Sequence, residues 1–174
     1  MADIYDESNY APKQGVGYLL HRVRSELLAA MDREFGADAE LAALQVTSAQ
    51  FVVLASLSTE EVKSASDLCK GMTYDAGAMT RMIDRLEEKG LLKRSRCPND
   101  RRLVNLELTE KGQVALPRMR NTARKVLNRF LEGFTKVEAR QLEGFLTRML
   151  ENAPRQGDAP RHGDVPRQGD ASRS

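Results

Sequence analysis

The chain has 174 residues, 41% of them apolar and 30% charged, with a formal net charge of only +2. That is the balance of a soluble globular protein long enough for one domain with a real core, and it excludes a polycation that binds through overall charge. No apolar run approaches the roughly 20 residues that span a bilayer, the acidic start Met1-Ala2-Asp3-Ile4-Tyr5-Asp6-Glu7 lacks the regions of a signal peptide, and two cysteines supply neither a disulfide framework nor a metal spacing, so the expected location is the cytoplasm.

After an N-terminal arm (1–14), the stretch from Gly15 to about Ala37 carries Val16, Leu19, Leu20, Val23, Leu27, Leu28 and Met31 at helical spacing, opposite a charged face. Thr47 and Gln50 form a capping box that opens a buried helix, Phe51 to Leu57. Ser64 to Lys70 begins with cap residues and predicts a short helix, followed by Gly71-Met72-Thr73-Tyr74 as a turn. Next comes an amphipathic helix. Met79, Met82, Ile83 and Leu86 fall at i, i+3, i+4 and i+7 as one buried stripe, Gly77, Arg81 and Asp84 lie opposite, and Thr80 and Arg85 flank them. Gly90 stands where a glycine would end that helix.

Leu91 to Arg96 and Arg102 to Leu108 then read as two short strands, the second alternating from Val104 onward, with turn chemistry at Pro98-Asn99-Asp100 between them. Thr109 can cap a helix running through Val114, Val126, Leu127, Phe130 and Leu131, in which Pro117 removes one hydrogen bond and should kink the axis at a cost of ~3 kcal/mol. Thr135 and Glu138 form a second capping box, opening a last helix with Leu142, Phe145, Leu146, Met149 and Leu150 as its stripe. Residues 154–174 repeat a hexapeptide, Pro154-Arg155-Gln156-Gly157-Asp158-Ala159, that cannot build a core and is expected to be a disordered tail.

The chemistry lies in the helix and the hairpin together. An arginine-bearing outer face over a buried stripe suits the major groove, where Arg bonds guanine O6 and N7 and Thr meets a thymine methyl. Gly77 and the neighbouring alanines leave room for close approach. Arg94, Arg96, Arg101 and Arg102 concentrate positive charge in the hairpin, and arginine gains from the enhanced potential of a narrow minor groove. Asp100 is assigned to orienting a neighbouring arginine, a plain turn former being its other reading. The expected DNA contacts are therefore Tyr74, Asp75, Ala76, Gly77, Thr80, Arg81, Arg85, Arg96, Arg101 and Arg102.

The segment from Leu68 to Gly112 resembles the winged-helix core of the MarR family of bacterial transcription regulators. The resemblance rests on Ala78-Met79-Thr80-Arg81-Met82-Ile83-Asp84-Arg85-Leu86-Glu87-Glu88-Lys89-Gly90-Leu91, on Asp100-Arg101-Arg102 and on Leu108-Thr109-Glu110-Lys111-Gly112, and extends over about residues 10–150. It implies a mainly α fold with a small β-hairpin wing, a winged helix-turn-helix head (about 47–110) between N- and C-terminal dimerisation helices (15–37 and 110–151) in one domain, 15–153. It further implies a homodimer on a pseudo-palindromic operator of double-stranded DNA, usually a repressor, released by a small aromatic effector, with Arg102 entering the minor groove. Two recognition helices in such a dimer lie about one DNA turn apart. A monomer whose terminal helices fold back on its own head is the alternative.

In the family that the chain resembles, effector pockets lie where the dimer helices meet the head. Tyr18, His21 and Arg22 on the first helix, with Arg94 at the base of the wing, are the candidates to hold an aromatic carboxylate. The other reading of His21 is a surface histidine beside the apolar stripe. Cys97, among arginines, would favour thiolate, which leaves a cysteine-based redox-sensing repressor as an alternative, whereas Cys69 is expected to pack as a small apolar residue. A second alternative is a winged-helix protein-interaction module without DNA. An enzyme is rejected, since the chain has no Gly-rich phosphate loop, nucleophile elbow or metal-ligand cluster, and no cofactor or metal is expected.

Overall fold

The computed structural model describes residues 3–59, 62, 64–72, 74–96 and 104–153. Among them are seven helices and one two-stranded sheet: α1 (Val16–Ala37), α2 (Ala39–Leu44), α3 (Ser48–Leu57), α4 (Ala65–Gly71), α5 (Ala76–Glu88), β1 (Leu92–Arg96), β2 (Val104–Leu108), α6 (Glu110–Phe130) and α7 (Lys136–Glu151). This is the mainly helical architecture with a β-hairpin wing that the sequence implies. The chain divides into two units, Met1–Phe130 and Leu131–Ser174.

In the first unit, α3, α4, α5 and the hairpin close around one core. Phe35, Val53, Leu54, Leu68, Met79, Ile83, Leu86, Leu91, Leu92, Leu106, Leu116 and Met119 are buried there, and Cys69 packs against them as a half-buried, free thiol. A smaller seam joins α1 to α6 through Ala30, Met31, Ala123 and Val126. Burial on α1 is confined to its C-terminal part, at Ala30, Met31 and Phe35. Its N-terminal part leaves Val16, Leu19, Leu20 and Val23 exposed.

The expected caps are present. Thr47 and Gln50 satisfy each other's backbone at the start of α3, and Ser64 and Asp67 do the same for α4. One helix was not anticipated: α2, six residues opened by the Asp38 carboxylate, which accepts from the Glu40 and Leu41 amides. Its signal is the Asp-x-Glu pattern at Asp38-Ala39-Glu40, too short for a periodicity to register. α6 stays helical through Pro117, which is exposed. The carbonyl of Gln113, deprived of an amide partner by the proline ring, belongs to an exposed residue, where water can replace the lost bond.

The second unit contributes α7, opened by the expected Thr135–Glu138 box. None of its residues is buried. Residues 154–174, including the hexapeptide repeats, lie outside the described residues.

Candidate nucleic-acid interface

Helix α5 is oriented from both ends. At its start the Asp75 carboxylate accepts from the Ala78 amide at 2.8 Å, satisfying one of the orphan donors of the first turn. At its end Gly90 adopts φ +67°, a left-handed conformation open to glycine at little cost. The Gly90 amide donates to the Glu87 carbonyl and the Leu91 amide to the Leu86 carbonyl, the paired bonds of a Schellman motif. The chain leaves the helix along a fixed path and enters the wing directly.

That exit is bolted to the rest of the head. The Thr109 hydroxyl donates to the Gly90 carbonyl at 2.6 Å and accepts from the Gly112 amide, so it caps α6 while holding the end of α5. Gly112 lies so close to the Leu91 backbone that a Cβ there would stand 2.0 Å from the Leu91 oxygen. The Lys111 ammonium donates to the Lys89 carbonyl, and the Lys89 ammonium donates to the Gln45 carbonyl and, at 2.9 Å, to Gln50 Oε1. Burial pushes the Lys89 pKa down, and repulsion from Arg85 adds to that. Composition and spacing gave no sign of this hub, because its members are brought together only by the fold.

With Met79, Ile83 and Leu86 buried, the opposite face of α5 presents Ala76, Gly77, Thr80, Arg81 and Arg85 to solvent. Thr80 donates its hydroxyl back to the Ala76 carbonyl at 2.8 Å, which turns its methyl to other contacts. Asp75 belongs to the cap, and Tyr74 is half-buried against the core just before it. Asp84, expected on the outer face, reaches sideways to the wing instead.

The hairpin pairs Leu92 with Leu108, Arg94 with Leu106 and Arg96 with Val104, antiparallel. Its cations are not equivalent. Lys93 pairs across the strands with Glu107 at 3.3 Å, and Glu107 also accepts from Ser95; these bonds, Ser95 first, hold the Glu107 carboxyl below its usual range. Arg94 is held by Asp84 at 2.5 Å and by Glu87, bonds that, Asp84 first, keep its guanidinium even more firmly protonated than usual. Arg81, Arg85 and Arg96 form no ion pair with a carboxylate among the described residues. Cys97, Asp100, Arg101 and Arg102 lie outside the described residues.

The expected effector set is not assembled in the single chain. Arg22 donates to the Tyr18 hydroxyl at 3.4 Å, lies over its ring and pairs loosely with Glu26, while His21 is exposed beside them. Arg94 has other partners, the two α5 carboxylates. A groove of about 570 Å³ between α2 and α6 and another of about 610 Å³ beside β2 are lined by none of these four residues. Among the described residues, no group of three or more His, Cys, Asp or Glu side chains gathers into a metal site, and no helix is long and apolar enough to cross a membrane.

The profile of the MarR family matches residues 46–104, from the loop before α3 to the start of β2. The transcriptional repressor MdtR of Bacillus subtilis (strain 168) is 28% identical over 135 residues, which are 78% of this chain and 81% of MdtR. Among solved structures, BpsR of Bordetella bronchiseptica, whose DNA binding is regulated by 6-hydroxynicotinic acid, is 28% identical with a TM-score of 0.69, covering 83% of this chain and 99% of its own. Apo wild-type MarR of E. coli is 30% identical with a TM-score of 0.63, covering 78% of this chain and 97% of its own. A mutant of that protein complexed with operator DNA reaches a TM-score of 0.68 at 29% identity, covering 86% and 99% of the two chains.

Proposed function

This chain belongs to the MarR family of winged helix-turn-helix DNA-binding transcription regulators, and on that premise we propose that it is a homodimeric repressor that leaves a pseudo-palindromic operator when a small aromatic carboxylate or phenol binds. The observation that carries the DNA-reading surface is the sorting of its cations. Lys93 and Arg94 are neutralised within the head, whereas Arg81, Arg85 and Arg96 are exposed without a carboxylate partner among the described residues, on the helix and the strand that adjoin each other. Unpaired arginines are the ones that can exchange water and counterions for DNA phosphates and base edges.

In this reading the N-terminal part of α5 lies in the major groove. Gly77 and Ala76 admit the backbone, Thr80 offers its methyl, and Arg81 and Arg85 reach base edges and phosphate. Asp75 acts through its cap, and Tyr74 supports the approach. Arg96, Arg101 and Arg102 carry the wing to the minor groove, with Asp100 orienting. The dimer is supported by the exposed apolar residues of α1, Val16, Leu19, Leu20 and Val23, which a second copy would cover. The effector class is supported by BpsR, since 6-hydroxynicotinic acid is an aromatic carboxylic acid. Tyr18, His21 and Arg22 would then hold the carboxylate at a site completed by the partner, and Arg94 could join only by leaving its α5 carboxylates.

The test is a fluorescence-anisotropy titration of the full chain onto its own upstream promoter DNA and onto scrambled DNA, with and without a panel of aromatic carboxylic acids and with peroxide. The proposal expects specific binding that one acid abolishes. Release by peroxide alone would move the switch to Cys97. Binding indifferent to every acid would remove the effector from the proposal, and no preference for any promoter sequence would remove the operator.

A further inference from the structure

Among the described residues, every side-chain hydrogen bond between the wing and α5 runs through one residue. The Arg94 guanidinium donates through one terminal nitrogen to Glu87 and through the other to Asp84, at 2.5 Å for the latter, while the Arg94 backbone amide donates to the second oxygen of Glu87 at 3.1 Å. Asp84 and Glu87 are one turn apart on α5, so their carboxylates can grip a single guanidinium together. We propose that Arg94 is a positioning residue for DNA recognition: gripped by Asp84 and Glu87, it sets the angle of the wing against α5 so that both engage one duplex together. The inference rests on the reading that this wing reaches the minor groove beside the groove that α5 enters.

Three considerations favour a brace over the alternatives. First, β1 has no apolar anchor where the brace acts. Leu92 and Arg94 share a face of the strand, and Leu92 is buried whereas the side chain of Arg94 is one-third exposed. Beyond Leu92 the side chains of β1 leave the core, so that at this level the hairpin is held by Leu106 of β2, opposite Arg94, and by the polar link of β1. Second, the bonds need a fork. A guanidinium can address two carboxylates at once in fixed geometry, which a lysine ammonium does less well. Third, the triad is too exposed to serve stability. Its side chains are 33%, 48% and 38% accessible, and ion pairs in that regime contribute little to folding. Two carboxylates near a DNA-facing helix would repel phosphate if left free, and Arg94 offsets that repulsion while fixing the strand. A phosphate contact by Arg94 itself is disfavoured, because its charge is already spent on the helix.

The experiment uses the full chain on the duplex that it enriches most strongly from a randomised pool. Dimethyl sulfate reads guanine protection in the major groove, and hydroxyl radicals read the flanking minor groove. The wild type should protect both. Arg94→Gln should keep the guanine protection, lose the flanks and bind about tenfold more weakly, with no change in melting temperature. Asp84→Asn combined with Glu87→Gln should lose the flanks in the same way, although it removes two negative charges, and Arg94→Lys should fall between. Stronger flank protection in that double variant would identify Arg94 as a phosphate contact and overturn the inference. So would intact flanks in Arg94→Gln, or equal erosion of both footprints together with a lowered melting temperature. A wild-type footprint limited to the major groove would overturn the wing reading and the brace with it, and no sequence enrichment at all would overturn the operator proposal beneath both.

Discussion

Helices α5 and α7 are built by the same local rules and meet opposite fates. Each opens on a side-chain cap, from Asp75 in one and from the Thr135–Glu138 box in the other, and each carries an apolar stripe with helical period. On α5 the stripe is gone from solvent, with Met79 at 0%, Ile83 at 1% and Leu86 at 0% accessible. On α7, Phe145 is 56% and Leu150 75% accessible. α1 contains both situations in one helix, Phe35 at 1% and Leu19 at 53%. A stripe thus states that a helix has something to bury and leaves open what will bury it. The head covers its own stripes. The first half of α1, and separately α7, leave theirs exposed, and exposed apolar area of this kind is where a proposed partner surface is to be sought.

The strongest way to break this comparison is to charge the uncovered stripe. Leu19→Asp combined with Val23→Asp alters two exposed positions, so the fold of the single chain should survive, with an unchanged far-ultraviolet circular dichroism spectrum. If α1 dimerises the protein, light scattering should find a monomer, and operator affinity should drop by about 10²–10⁴-fold as two linked half-site contacts become independent. A dimer of wild-type stability would assign the interface elsewhere.

The complementary test loads the covered side. Gly112→Ala drives a methyl group into the Leu91 carbonyl, a contact at 2.0 Å to backbone rather than to a flexible side chain. Either the wing exit or the start of α6 must shift, and the expected loss is about 1–3 kcal/mol in urea denaturation, the range of an overpacked core. Gly36→Ala is the matched control. It lies near the end of α1 with nothing within 4 Å of the added carbon, so it should gain roughly 0.5–1 kcal/mol from helix propensity. Equal responses at the two glycines would show that the joint between α5 and α6 is softer than its packing implies.

What could be read from the sequence follows the same division. The α5 stripe, the Thr47 and Thr135 boxes and the helix-ending Gly90 were legible because each is settled within a few residues. The Lys89 hub was not: its ammonium meets acceptors on Gln45 and Gln50, 44 and 39 positions away. Gly112 stood in the motif Leu108-Thr109-Glu110-Lys111-Gly112, yet its reason, the approach of Leu91, exists only in the folded head. The sequence groups Arg94 with Tyr18, His21 and Arg22, because a guanidinium at the wing base suits a carboxylate ligand. The structure supplies two carboxylates from α5 itself. Helical angle assigns Asp84 to the outer face, and its reach to Arg94 shows why angle alone does not fix a long polar contact. For Arg101 and Arg102 the sequence argument stands alone.

The smallest expected effect concerns the junction at which α1 passes to α2. The Asp38 carboxylate caps α2 and accepts from Arg118 Nε, at 2.8 and 2.7 Å to its two oxygens, which ties this corner to α6. The hydrogen bond from Arg118 is the largest cause that holds the Asp38 carboxyl below its usual range; the amides of Leu41 and Glu40 and the charge of Arg118 add to it, while desolvation opposes. A carboxyl with a depressed folded pKa contributes stability that is fully present above its unfolded pKa and is lost as pH falls through the folded value. Acidification from neutral pH to below the ordinary carboxylate range should therefore cost the wild type more stability than Asp38→Asn, whose amide oxygen can still cap α2 but carries no charge for Arg118. The difference should be small, because the pair is open to solvent and screened, and it should shrink further in high salt. Denaturant midpoints for both proteins across that pH window measure it. Parallel pH profiles would mean that Asp38 serves the α2 cap alone, leaving the pair of Arg118 with Glu40, at 2.8 Å, and packing to link this corner to α6.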